Sequence, residues 1–223
     1  MNNDQLVCPV NAPDCHWLGQ IACLQQQILD LSELVATDAL TGLYNFRHFK
    51  NVLQVEMNRS KRSGIPTSLV MVDIDYFKSV NDAHGHAVGN VVLKHIAAIL
   101  KDEVRSADIV CRYGGEEFTL IFPETHLRFA VKVADRIREI IAMTPVHCNG
   151  KDVLVTASMG AGVYMKTSIL DVIDFVDSVD KHLYEAKQSG RNCICHIDYA
   201  DLRSVTEVSA DERAMLFNNE LVI

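Results

Sequence analysis

The sequence contains no apolar run of the roughly 18 residues that a membrane-spanning helix requires, so no membrane span is expected. Its N-terminus lacks a basic segment leading into an apolar stretch. Nothing there reads as a signal peptide, and a cytoplasmic location is expected. Positive charge is scarce: 21 Lys and Arg stand against 29 Asp and Glu, for a formal net charge of −8. A general nucleic-acid binder needs a basic footprint, so nucleic acid is not an expected partner. The seven cysteines are odd in number and irregularly spaced, which argues against a disulfide framework and for reduced thiols. Cys8, Cys15, His16 and Cys23 match no zinc-ligand spacing. Internal repeats and low-complexity segments are also lacking.

What the chain does have is size and apolar content. Its 223 residues, 48% hydrophobic, suffice for one domain of ordinary size with short appendages. The pattern divides into an N-terminal segment over 1–36, a main domain over 37–198 and a tail over 199–223. In the first, Trp17, Ile21, Leu24, Ile28, Leu31 and Val35 alternate at spacings of four and three. That is an a/d seam. It fits either a helix packed on its own domain or a short parallel coiled coil joining two protomers. In the tail, Asp211 to Phe217 could add a helical turn, and Leu221-Val222-Ile223 forms an apolar end.

The main domain alternates helical and strand periods. Helices are expected over about 45–62, 88–104, 125–143 and 169–189, with a short helix or turn over 77–82. Strands are expected over 68–73, across a hairpin at 109–122, over 153–164 and near 193–197. The order describes one layered α/β (α+β) domain with a mainly antiparallel sheet.

Two places carry acids where a plain scaffold would not. The hairpin reads Arg112-Tyr113-Gly114-Gly115-Glu116-Glu117-Phe118, with Gly-Gly expected as the tight turn. Two adjacent glutamates then open an apolar strand, where they repel each other unless a cation is present. The apolar strand Ser68–Val72 ends in Asp73-Ile74-Asp75. Burying an unpaired carboxylate there is costly. Asp73, Glu116 and Glu117 together would offer an oxygen-only donor set of the kind that suits Mg²⁺ with substrate phosphates.

Further motifs fall in order around these. They are Asp38-Ala39-Leu40-Thr41-Gly42-Leu43-Tyr44-Asn45, Asp73-Ile74-Asp75-Tyr76-Phe77-Lys78-Ser79-Val80-Asn81-Asp82, Gly85-His86-Ala87-Val88-Gly89-Asn90, and Ala186-Lys187-Gln188-Ser189-Gly190-Arg191-Asn192. With the hairpin they resemble the GGDEF-domain diguanylate cyclases, here as Gly-Gly-Glu-Glu-Phe, over about 37–198. The resemblance implies a fold similar to the nucleotidyl-cyclase and polymerase palm. It also implies condensation of two GTP into cyclic di-GMP with release of two pyrophosphates.

The resemblance assigns roles residue by residue. Asp73 through its side chain, Ile74 through its carbonyl, Glu116 and Glu117 are the implied ligands of Mg²⁺, or of Mn²⁺ in its place, two ions per site. Glu116 is also the implied acceptor of the ribose 3′-hydroxyl proton. Asp75 either ligates or organises the strand end by hydrogen bonds, the latter being favoured. Backbone N–H groups at Tyr76 and Phe77 would hold phosphate at a helix start, with charge from Lys78, Lys187 and Arg191. Guanine would be read by Asn81 and at position 90. There the family has Asp and this chain has Asn90, which offers one acceptor and one donor. Asn90 therefore either serves guanine adequately or relaxes selectivity enough to yield some cyclic GMP-AMP. His86 either lines the guanine or ribose pocket or packs.

Arg105-Ser106-Ala107-Asp108 resembles the family's Arg-x-x-Asp inhibitory site for cyclic di-GMP. Because each domain binds one GTP and the product joins two, a homodimer is implied. Residues 14–36 are the expected dimerising helix and the expected target of a regulatory protein. The competing expectation is a catalytically silent GGDEF module that binds cyclic di-GMP or GTP as a sensor or scaffold.

Overall fold

A computed structural model of the chain describes residues 20–21, 23–24, 36–148 and 150–198. The chain divides into two units, at 1–37 and 38–223. In the first, Gln20, Ile21, Cys23 and Leu24 are helical. The rest of the expected seam, the cysteine–histidine set at 8–16 and the tail calls lie outside the described residues.

In the second unit, helix α1 (Phe46–Ser63) starts at Asn45, whose side chain accepts from the His48 N–H, and stops at Gly64. Strand β1 (Thr67–Ile74) follows, and all eight of its residues are buried. A strand covered on both faces reads as a continuous apolar run, and that is the form of Leu69-Val70-Met71-Val72. Helices α2 (Phe77–His84) and α3 (His86–Asp102) come next. The hairpin pairs β2 (Ile109–Gly114) with β3 (Glu117–Phe122). Helix α4 (Leu127–Met143) leads to a small ladder of β4 (Val146–Cys148) and β5 (Lys151–Val153). Strand β6 (Ala157–Tyr164), helix α5 (Val172–Gln188) and strand β7 (Ile194–His196) close the domain.

The main sheet has five strands in the order β2-β3-β1-β6-β7. Its pairings are antiparallel except β6 with β7. Side-chain alternation along β1 sorts the core into two layers. Val70, Val72 and Ile74 pack with Val92, Ile96 and Ile137 of α3 and α4. Leu69 and Met71 pack with Phe49, Leu53, Val179 and Leu183 of α1 and α5.

Two expectations need correction. The long strand expected over 153–164 is two elements, β5 in its own ladder and β6 in the main sheet. The chain leaves the first sheet after Val153 and enters the second at Ala157, a change that apolar periodicity does not register. The hairpin turn is also displaced by one residue. Gly114 pairs with Glu117, so the two-residue loop is Gly115-Glu116, not Gly114-Gly115. Gly115 has φ +48° and is the loop's positive-φ residue, the dihedral pattern that places glycine first in a two-residue turn. A register shift between Arg112 and Gly114 makes Tyr113 a bulge and produces the displacement.

Candidate active site

Antiparallel register builds the centre of the site. Asp73 lies opposite Glu117 across β1 and β3, and opposite Ser158 across β1 and β6. The period of two puts Asp73 and Glu117 on the α5 side, with Leu69 and Met71. Glu116 sits at the hairpin tip, and its carbonyl accepts from the Ile74 N–H at 3.4 Å. One strand end thus collects Asp73, Ile74, Glu116 and Glu117.

A cation already answers part of this charge. Lys187, in the last turn of α5, places its Nζ 2.8 Å from Asp73 Oδ2. Burial pushes the Asp73 carboxyl above its ordinary range; Glu116 and Asp75 push the same way, while Lys187 opposes. Burial likewise raises Glu117, helped by Asp73, Asp180 and Glu116 against Lys187. The three acids carry more charge than Lys187 offsets.

Among the described residues, no three His, Cys, Asp or Glu side chains form a ready metal cage. Mg²⁺ is usually bound through one or two carboxylates completed by substrate phosphates and water. The donors present, hard carboxylate oxygens with uncompensated charge, fit such an ion. Lys187 is the group that would have to give way on Asp73, and its side chain is 31% exposed.

Asp75 has a different setting. It is 4% exposed and accepts from Thr156 Oγ1 at 2.6 Å, Ser158 Oγ at 2.6 Å and the Asn192 backbone N–H at 3.1 Å. Its oxygens are committed to tying β1 to β6 and to the start of the β7 segment.

Tyr76 caps α2 in the left-handed region, with φ +55°. No side chain caps this helix, so its first N–H groups project from the β1 end. Arg191 reaches the same place: its guanidinium lies 4.4 Å from the Tyr76 ring centroid and donates to the Tyr76 hydroxyl at 3.1 Å. Lys78 is exposed on α2. Sequence separations of more than a hundred residues therefore close on one edge.

The expected base-reading residues meet between α2 and α3. A Cβ built on Gly89 would lie 2.0 Å from Asn81 Oδ1, so the Asn81 amide occupies the space that glycine leaves. Asn90, the next residue along α3, is exposed beside it, and His86 is exposed at the first position of that helix. Arg105 and Asp108 stand apart, at the opposite end of β2. The Arg105 N–H donates to Asp108 Oδ2 at 2.9 Å, and the Asp108 N–H returns to the Arg105 carbonyl at 3.0 Å. The Arg105 side chain is left exposed.

Arg112 is a site residue to which the sequence reading gave no role. It donates to the Gly115 carbonyl through Nε at 3.1 Å and Nη2 at 2.8 Å, and its Nη1 pairs with Asp38 at 3.1 Å. Burial alone would raise Asp38. Hydrogen bonds from Thr41 and Arg112 outweigh it and hold the carboxyl below its ordinary value. Asp38-Ala-Leu-Thr41 is thereby a bracket that sets the hairpin tip through Arg112. The available signal was a charged side chain inside an otherwise apolar strand, one residue before Tyr-Gly-Gly.

With this geometry in hand, the chain was compared with known proteins. Residues 35–193 match the family model "Diguanylate cyclase, GGDEF domain". The chain is 39% identical over 164 residues to the response regulator PleD of Caulobacter vibrioides, which covers 73% of this chain and 36% of PleD. It is 38% identical over 179 residues to diguanylate cyclase A of Treponema denticola, covering 78% of this chain and 47% of that one. It thus spans between about a third and a half of these relatives' lengths. Among solved structures it is similar to diguanylate cyclase SiaD of Pseudomonas aeruginosa in complex with its activator SiaC. That match has 35% identity and a TM-score of 0.70, covering 81% of this chain and 71% of that one.

Proposed function

The chain belongs to the GGDEF-domain family of diguanylate cyclases, and from that premise we propose that it condenses two GTP into cyclic di-GMP and two pyrophosphates across a homodimer. The observation that carries the reading is the shared strand end of Asp73, Glu116 and Glu117, under-neutralised by Lys187. Such a centre calls for divalent cations, proposed as Mg²⁺ with Mn²⁺ as substitute, two per site. When bound, these ions would neutralise triphosphate charge and lower the pKa of the attacking hydroxyl.

The protein's own groups do the rest. Asp73, the Ile74 carbonyl, Glu116 and Glu117 hold the cations. Glu116 accepts the 3′-hydroxyl proton, and its place at the hairpin tip, half-buried, supports that role. The N–H groups opening α2 at Tyr76 and Phe77 take phosphate. Lys78, Lys187 and Arg191 add positive charge. Lys187 exchanges a carboxylate oxygen of Asp73 for a phosphate oxygen as cation and nucleotide enter. Asn81 and Asn90 read the guanine edge, with His86 at the rim. Phosphoryl transfer gains mainly from such positioning and charge compensation.

Each domain presents one nucleotide, so two must face across a two-fold axis. We assign dimerisation to residues 14–36. The SiaD structure contains an activator protein, which supports a regulatory partner here, and we assign that partner to the same segment. Arg105 and Asp108 form the inhibitory site for cyclic di-GMP, supported by the exposed guanidinium and the turn that holds the pair together.

The test is incubation with equimolar GTP and ATP plus Mg²⁺, followed by product identification by mass for wild type and Glu116→Ala. Cyclic di-GMP from the wild type and none from the variant is the expected result. Equal product from both would overturn the assignment of Glu116, and no product from the wild type would overturn the activity. Asn90 carries a second reading, since its amide can donate as well as accept. A cyclic GMP-AMP fraction would decide for it, and a pure di-guanylate product against it.

A further inference from the structure

Arg191 and Asn192 are consecutive residues at positive φ, +64° and +46°. Asparagine tolerates that region and arginine rarely holds it, so the pair depends on partners outside the bend. Those partners come from several elements. The Arg191 N–H donates to the Ala186 carbonyl in the last turn of α5 at 3.1 Å. The Asn192 N–H donates to Asp75 Oδ2 at 3.1 Å, just past the end of β1. The Asn192 side-chain Oδ1 accepts from Arg138 Nη1 of α4 at 3.0 Å. The Met159 N–H of β6 donates to the Cys193 carbonyl at 2.9 Å and closes the bend on the sheet.

Arg138 is set up for its part. Its Nε and Nη2 each lie 2.8 Å from Asp135 Oδ1, one turn earlier on α4, and Nη2 is 3.5 Å from Glu139. Both acids are more than half exposed, whereas the Arg138 side chain is 17% exposed. Two of its nitrogens are thus held by neighbours on its own helix, and the third is aimed at the bend. A planar guanidinium fork can keep both directions at once, and the single nitrogen of a lysine cannot. Directly before Asn192, the Arg191 guanidinium lies 4.4 Å from the Tyr76 ring centroid and donates to the Tyr76 hydroxyl.

We propose that Arg138 is a positioning residue: by holding the Asn192 amide it fixes the left-handed bend, and so keeps Arg191 over Tyr76, where nucleotide phosphate binds. Arg138 itself touches no nucleotide. Without its bond the bend samples other conformations, and apparent affinity falls by the fraction of time that Arg191 is out of place. Arg191 keeps its charge throughout and loses only its aim.

The link to nucleotide rests on the proposed cyclase function. The placement of Arg191 does not, so the test includes a readout without nucleotide. In NMR spectra of the full chain, the Arg191 side-chain protons should be shielded by the Tyr76 ring, and Tyr76→Leu identifies those signals by removing the shielding. Arg138→Met keeps the aliphatic stem and removes the fork. Shielding is expected to fall to about a third in this variant, and KM for GTP in pyrophosphate release to rise about threefold, because the same fraction governs both. The turnover number at saturating GTP should hold, since bound nucleotide selects the competent bend. Adding Arg138→Met to Arg191→Ala should raise KM no further. Undiminished shielding in Arg138→Met overturns the positioning role whatever the activity. Lost shielding with unchanged KM overturns the link to nucleotide. A further rise of KM on top of Arg191→Ala shows that Arg138 acts by another route and overturns it too.

Discussion

Replacing Lys187 with Met keeps the aliphatic stem in the last turn of α5 and removes only the ammonium. Asp73 then remains 11% exposed at its side chain, next to Glu116 and Asp75, with its nearest cation gone. A charge-assisted hydrogen bond is worth roughly 1.5–3 kcal/mol. Lys187 is about one-third solvated, which reduces this to about 1–2 kcal/mol. For a domain of this size each kcal/mol moves the melting temperature by about 2–4 °C. Lys187→Met is therefore expected to melt about 2–8 °C below wild type at neutral pH without added metal. The pH dependence follows from the raised Asp73 pKa. A carboxyl whose folded pKa exceeds its unfolded value contributes stability fully below the unfolded pKa and loses it as pH rises through the folded one. Removing Lys187 strengthens that trend, so the deficit should shrink toward acid, where Asp73 is protonated in both proteins. The assay is thermal melting of wild type, Lys187→Met, Asp73→Asn and the double variant, across the carboxylate range and at neutrality. A coupling of about 1 kcal/mol between the sites is expected at neutral pH. Strict additivity, or a deficit that grows toward acid, would refute the account of Lys187 as a cation standing in on Asp73.

The same linkage predicts that Mg²⁺ raises the wild-type melting temperature more at neutral pH than in mild acid, because Asp73 and Glu117 must both ionise to hold it; equal shifts would place the metal elsewhere. Gly89→Ala should push the Asn81 amide aside, since the new Cβ would lie 2.0 Å from Oδ1; KM for GTP is expected to rise about tenfold in pyrophosphate-release kinetics, roughly one lost base contact. Arg112→Ala removes both bonds to the Gly115 carbonyl and the pair with Asp38, and is expected to cost about 2–3 kcal/mol in urea unfolding, with loss of turnover from a loosened hairpin tip. In Arg105→Ala, cyclic di-GMP should no longer slow the initial rate, while an uninhibited wild type would mean that this turn binds no product.

Much of the domain could be read from residue order because its signals are local. The all-apolar run Leu69–Val72 marks a central strand, Asn45 and Gly64 delimit α1, and the hairpin announces itself through paired glycines. The acids ending β1 and opening β3 were conspicuous for the cost of burying them. What escaped were features set by pairing between distant segments. The β4–β5 ladder is too short to show a period, and the bulge at Tyr113 moved the turn by one residue. Asp75 was expected to organise the strand end by hydrogen bonds, but its partners, Thr156, Ser158 and the Asn192 N–H, come from the entry to β6 and the 191–192 bend and could not be named from the sequence.

The amino-acid order by itself determined the helices and the strands of the main sheet, the family they compose and the inventory of acids and cations, since composition, period and motif spacing are properties of neighbours along the chain. The three-dimensional arrangement decided how those charges are shared: Lys187 on Asp73, Arg191 on Tyr76, and Arg112 on the hairpin tip. Electrostatic interactions and hydrogen bonds depend on separation in space, and strand register together with the docking of α5 sets those separations.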